Sequence, residues 1–228
     1  MPLTGSPKGG SGDFDAAIFD MDGTLVDSNF HHVIAWHRAF RAYDVTVPLW
    51  LVSRHMGMGG DKLVPTLAGE AVEQAHGEQL RDAWKENFGE LIGEVSVLPG
   101  APELLREVAG RGVMVVLASS GEPQHVEHFI DLLSARDVAA GWTTSGDVEN
   151  TKPEPDLLEV ALKKSGDGAA ITFGDSTWDC QAAARLDLPT VALRTGGFGV
   201  DELREAGARD VFDSLDDLRG ALDAVLRR

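Results

Sequence analysis

Apolar positions along the chain fall into two patterns. Between about residues 29 and 97 they recur at helical spacing, whereas on either side they come in short continuous runs that stop at small or acidic residues. The first such run, 16–19, has the length and content of a buried strand and ends at two aspartates, Asp20 and Asp22. Val33, Trp36, Ala39, Phe40 and Tyr43 then mark a helix over 29–43, with Ser28 placed to cap it. Two more helical stretches follow over 49–67 and 70–92, with a break at Gly57-Met58-Gly59-Gly60. A turn at 98–101 leads into a helix over 102–110, where Pro102 suits an early helical position. Beyond it, the runs at 113–118, 169–173 and 189–193 predict strands, 141–144 a weaker one and 210–212 a short last one. Helices are predicted over 123–134, from the Pro-x-Pro at 153–155 to 164, and over 177–186, 200–206 and 215–226. Strands alternating with helices imply βαβ units and a mainly parallel sheet, an α/β fold.

One spacing breaks the alternation. A βαβ crossover needs little more than about a dozen residues plus loops, yet about 98 residues separate Asp20 from Ser119. The surplus is an inserted helical module, and helices inserted beside a crevice read as a lid that excludes water. The expected division is a flexible tail at 1–12, a core at 13–29 and 98–228, and a helical cap at 30–97. The tail is rich in Gly, Ser and Pro and has no apolar segment, so it is not expected to be a signal peptide.

Composition narrows the partners. With 37 acidic and 20 basic residues the formal charge is −17, which argues against nucleic acid or an anionic membrane surface. A phosphate substrate is still compatible, because a bound cation reverses the local field. Cys180 is the single cysteine, so no internal disulfide forms and nothing points to an oxidising compartment. No apolar run is long enough to span a bilayer. The expectation is a cytoplasmic protein, monomer or homodimer, acting on a small molecule.

The chemistry-bearing residues sit where the runs end, on the side where α/β folds bind ligands. A carboxylate such as Asp20 at a strand end can attack phosphorus and form an aspartyl-phosphate. Two anions must then meet, which calls for a divalent cation, and Mg²⁺ suits carboxylate, carbonyl and phosphate oxygens. Asp22 can protonate the leaving oxygen and later accept a proton from water. The hydroxyl of Ser119 and the N–H groups after it, Ser120 among them, can hold phosphate oxygens at a helix start. By itself Ser-Ser-Gly is more readily read as a turn and helix cap. Lys152, set in Thr-Lys-Pro-Glu-Pro, has a flank that fixes its backbone, although a lone lysine is most often a solvated charge. Asp175 and Asp179, four apart at a strand-to-helix junction, suit a metal ligand and a supporting partner for Lys152 or a water; acids there are also common helix caps.

The string Asp20-Met21-Asp22-Gly23-Thr24-Leu25-Val26-Asp27-Ser28, followed in order by Ser119, by Lys152-Pro153 and by Gly174-Asp175 with Asp179, resembles the haloacid dehalogenase-like hydrolases from about residue 14 to 212. The resemblance is to the group that includes the phosphoglycolate phosphatases and the beta-phosphoglucomutases. It implies a Rossmann-like three-layer αβα core and a helical cap between the first two motifs. It also implies Asp20 as nucleophile, Asp22 as acid and base, Ser119, Ser120 and Lys152 on phosphate, and Mg²⁺ on Asp20, the Asp22 main-chain carbonyl and Asp175. An acid at position 22 is implied to separate phosphate-transferring members from dehalogenases, transport ATPases and phosphonate hydrolases.

A phosphatase for a small phosphorylated metabolite is the first expectation. The stretch from Asp27 to Trp36 resembles sugar-phosphate mutases, which places His32 against Asp22 at the hinge; an ordinary half-buried helix histidine is the plain alternative. Gly174-Asp175 departs from the mutases' Glu-Asp pair and favours hydrolysis. In the cap, Arg54 and Lys62 stand as candidates to read a distal anionic group, or as surface charges at a helix–helix turn. A non-catalytic regulatory relative would be favoured by loss of Asp20 or Asp22, and both are present.

Overall fold

The computed structural model describes residues 13–147, 150–166 and 168–228; the expected tail at 1–12 lies outside the described residues. In chain order the elements are β1 (Ala16–Asp20), α1 (Asn29–Ala42), α2 (Leu49–Ser53), α3 (Gly60–Ala68), α4 (Glu70–Leu91), α5 (Ala101–Gly110), β2 (Met114–Ala118), α6 (Pro123–Leu132), β3 (Ala139–Trp142), α7 (Asp156–Ser165), β4 (Ala170–Gly174), α8 (Thr177–Ala184), β5 (Thr190–Leu193), α9 (Val200–Glu205), β6 (Ala208–Phe212) and α10 (Leu215–Val225). The strands form one parallel sheet in the order β3-β2-β1-β4-β5-β6. The chain therefore works outward from β1 through β2 to β3, then crosses to β4 on the other side. That reversal opens a crevice at the carboxyl ends of β1 and β4.

Alternation along the strands divides the core into two layers. Ala17 and Phe19 of β1, Val115 and Leu117 of β2, and Ile171 and Phe173 of β4 face α5, α6 and α10. Ala16, Ile18, Val116 and Ala118 face α7 and α8. Phe19 and Phe173, paired across β1 and β4, stack with ring centroids 4.3 Å apart. Every residue of β1 is buried, so the strand that carries Asp20 is held from both sides. This is the Rossmann-like three-layer αβα core expected from the sequence.

Helices α1 to α4 lie between β1 and β2 in sequence and build their own cluster. Val33, Trp36, Ala39 and Phe40 of α1 meet Leu63 and Val64 of α3 and Leu80 of α4. The last turns of α4 reach the core layer through Phe88 and Leu91. No helix among the described residues is long and apolar enough to cross a membrane.

Three local expectations differ from the structure. Ser28 occupies the N-cap position of α1 but makes no capping bond; its hydroxyl donates to Asp22 instead. The strand expected at 141–144 is Ala139–Trp142, because this edge strand is only half covered and offers no apolar run to mark its start. The last strand begins at Ala208 rather than 210 and includes Arg209 and Asp210, charges that a sheet edge tolerates.

Candidate active site

Each chemistry-bearing residue sits at or just beyond the carboxyl end of a strand or in a loop beside one. Asp20 ends β1, Ser119 follows β2, Asp175 follows β4, and Lys152 lies in the connection between β3 and α7, joined to Pro153 by a cis peptide bond. Lys152 is buried and ion-paired with Asp20, and its Nζ lies 2.6 Å from Asp179 Oδ1. Asp179 is fixed by the start of α8: its Oδ2 accepts from the Ser176 N–H (3.0 Å) and hydroxyl (2.5 Å), while its own N–H donates to Ser176 Oγ (3.3 Å). One side chain thus both caps a helix and aims Lys152.

Asp175 accepts from Thr24 Oγ1 at 3.0 Å and from Asn29 Nδ2 at 2.8 Å. A Cβ at Gly23, whose φ is +75°, would run into Asn29 and the Asp175 carboxylate, and one at Gly196 would run into Asp175. Two glycines therefore give the carboxylate its room. Carboxylate oxygens of Asp20, Asp175 and Asp179 lie within 4.8 Å of one another, all buried. Burial raises Asp20 well above the usual carboxylate range; Lys152 opposes this, and Asp179, Asp175 and Asp22 add to it. Asp175 is pushed up to about 7 by burial and by Asp179. Burial alone would strip Lys152, but Asp179 and Asp20 hold its proton well above the ordinary lysine value. A buried, oxygen-only acid cluster with one lysine is short of positive charge, and its donors suit a small hard cation.

Asp22 is turned away from this cluster. It accepts from Ser28 Oγ at 2.6 Å, His32 Nε2 at 2.9 Å and Ser119 Oγ at 3.5 Å. Burial works to raise it, yet the His32 and Ser28 bonds outweigh burial and hold it below the usual carboxylate value. His32 is itself clamped, its ring stacked 3.9 Å from that of Phe88. Ser119 is anchored through its N–H to Thr143 Oγ1 at 3.1 Å and accepts from the Gly121 N–H at 3.0 Å.

Above these groups a cavity of about 290 Å³ separates the inserted helices from the sheet. Asp20, Asp22, Ser120 and Lys152 line its floor; Trp36, Met58, Arg81, Trp84 and Lys85 line its roof. Arg54 and Lys62 do not line it. Arg54 sits over the Phe198 ring, 4.4 Å from its centroid, and binds Glu202 and the Gly197 carbonyl. Lys62 lies 3.5 Å from Asp61. The cations in the roof are Arg81 and Lys85, which the sequence reading passed over because α4 is mostly polar and gives two more charges no distinction. Thr24, Ser28 and Asn29 were also missed as partners of the acids, although all lie in or beside the quoted first motif.

A parallel sheet flanked by helices, with a buried acid cluster and a lysine at its switch point, defines the class: a Rossmann-like α/β core with a carboxylate site suited to a cation. The chain belongs to the haloacid dehalogenase-like hydrolases, whose family model matches residues 14–187. It is 26% identical over 196 residues to the validoxylamine A 7'-phosphate phosphatase of Streptomyces hygroscopicus subsp. limoneus, covering 80% of this chain and 86% of that one. It is 27% identical over 238 residues to the phosphoglycolate phosphatase of Escherichia coli, covering 92% and 93%. Among solved structures, a hydrolase from Pseudomonas syringae superposes with a TM-score of 0.86 at 32% identity, covering 92% and 98%. A beta-phosphoglucomutase from Clostridium difficile shares the fold, with a TM-score of 0.78 at 18% identity, covering 94% and 100%. The chain thus stands with the family's phosphatases, the enzyme class to which its motifs point.

Proposed function

We propose that this chain is a Mg²⁺-dependent phosphatase that hydrolyses a small phosphomonoester through a phosphoaspartate at Asp20, with residues 30–97 acting as its cap. The observation that carries the reading is the divergence of two neighbouring acids. Asp20 faces Lys152 in the crevice, while Asp22 is drawn onto Ser28, His32 and Ser119. Two carboxylates in such different settings can take different roles.

An Asp20 carboxylate oxygen attacks phosphorus, and the bond from phosphorus to the leaving oxygen breaks as Asp22 gives that oxygen a proton. Asp22 is held low in the free chain; a phosphoryl group arriving with negative charge favours its protonated form. In the second half Asp22 takes a proton from water, the water oxygen attacks phosphorus, and the bond to Asp20 breaks to release inorganic phosphate. Lys152, Ser119 and Ser120 hold the non-bridging oxygens. Mg²⁺ would be held by Asp20, Asp175 and the Asp22 main-chain carbonyl, supplying the countercharge this acidic cleft lacks.

A mutase reading draws support from the His32–Asp22 contact at 2.9 Å. Against it, a mutase must also seat the second phosphate of a sugar bisphosphate, and both roof cations already have acid partners at 3.0 Å. The test is phosphate release from p-nitrophenyl phosphate. Release with Mg²⁺, none in EDTA and recovery on adding Mg²⁺ are expected; full activity in EDTA would remove the metal from the reading.

A further inference from the structure

We infer that the leaving group of the substrate is a neutral, polyhydroxylated fragment of at most one sugar ring, without a second anionic group; this rests on the phosphatase reading above. Size comes first. The cavity must take phosphoryl and leaving group together in about 290 Å³, at the low end of the roughly 300–1,000 Å³ usual for small-molecule sites. A phosphoryl group with one ring fills that volume, and a larger leaving group would extend into the open mouth.

Charge comes second. A leaving group with a carboxylate or second phosphate needs an unspent cation facing it. Arg81 Nη1 is shared by both carboxylate oxygens of Glu73, each at 3.0 Å. Lys85 is paired with Glu122 at 3.0 Å across the cavity. Asp61, another acid lining the cavity, accepts from Thr151 and faces Lys62. The roof is therefore balanced in charge and offers no net attraction to a distal anion.

The same groups still offer hydrogen bonds. Arg81 keeps its Nε and Nη2 donors without a protein acceptor among the described residues, and Asp61 and Glu122 present carboxylate oxygens. Trp84 and Trp36, stacked at 5.3 Å, add an apolar aromatic wall. Charge-compensated donors and acceptors beside an aromatic plane match the hydroxyls and C–H face of a sugar or cyclitol, not a short carboxylate.

The experiment is a kcat/KM panel on the intact chain with Mg²⁺, using p-nitrophenyl phosphate, pentose, hexose and cyclitol monophosphates, phosphoglycolate and a ribonucleoside monophosphate. At least one sugar or cyclitol phosphate is expected to exceed phosphoglycolate and the nucleotide by about a hundredfold. Phosphoglycolate or the nucleotide as the best substrate would overturn the inference while leaving the phosphatase reading intact. No phosphate from any compound, p-nitrophenyl phosphate included, would overturn the phosphatase reading itself and this inference with it. Glu73→Gln supplies a second arm, because it leaves Arg81 uncompensated. It is expected to raise the phosphoglycolate-to-sugar ratio of kcat/KM by about tenfold; an unchanged ratio would overturn the charge argument.

Discussion

Ser28 shows how one side chain can be placed correctly in sequence and still be misread. Its position before α1 suits a cap, but the hydroxyl points into the site and donates to Asp22 at 2.6 Å. Ser28→Ala is therefore expected to lower kcat/KM by about tenfold, the value of one well-formed hydrogen bond to a charged group, with little change in Tm. A cap role would give the reverse pattern, a lower Tm at nearly normal kcat/KM. The acids at 20, 22 and 175 were legible because short buried runs stop at them. Lys152 was legible only through its proline flank and its place in the order. Asn29, Arg81 and Trp84 were not legible, because their roles depend on which helix face meets the sheet, and local spacing does not encode that.

At the scale of elements, the strands β1, β2, β4 and β5 were readable as continuous apolar runs, since a buried parallel strand must be apolar on both faces. The edge strands β3 and β6 were placed two residues late, because an edge is half exposed and its ends carry no such signal. The unusual length of the connection between β1 and β2 was readable, but how its helices dock was not. That docking runs through Arg54, which reaches from the end of α2 to Phe198 and Glu202 just before and within α9. Gly57 presses on the loop before α8, where a Cβ would come within 2.7 Å of Ser176 Oγ. Arg54→Ala removes a half-exposed ion pair of a kind worth at most about 1 kcal/mol, so global Tm should hardly move. Amide exchange in residues 49–60 is expected to speed up and KM to rise severalfold, as the closed arrangement becomes less populated. Unchanged exchange in that segment would mean that Arg54 does not hold the inserted helices down.

Across the whole molecule, the acid cluster couples stability to pH and to the metal. Asp175 is raised from 3.8 to about 7, so it takes up a proton on folding and its contribution to stability declines as pH rises between those values. Asp22 is lowered, so its contribution is lost only as pH falls through its depressed folded value, and it is flat across that window. With Asp20 and Asp175 both raised, and His125, lowered by burial, opposing them, the Tm of the metal-free chain is expected to decline from pH 5 to pH 7.5. The rise produced by Mg²⁺ should be larger at pH 7.5 than at pH 5, where protons compete for the same oxygens. Equal rises at both values would argue against Asp175 as a ligand.

The most direct measurement concerns Asp20 itself. Acid quenching within the first turnover, reduction with borohydride and peptide mapping convert an acyl phosphate on an aspartate into the corresponding alcohol. The expected result is homoserine at position 20 in the substrate-treated chain alone, and none in Asp20→Asn, which should be folded and inactive. Full turnover with Asp20 unmodified, or the label on another side chain, would contradict an aspartyl nucleophile at the end of β1.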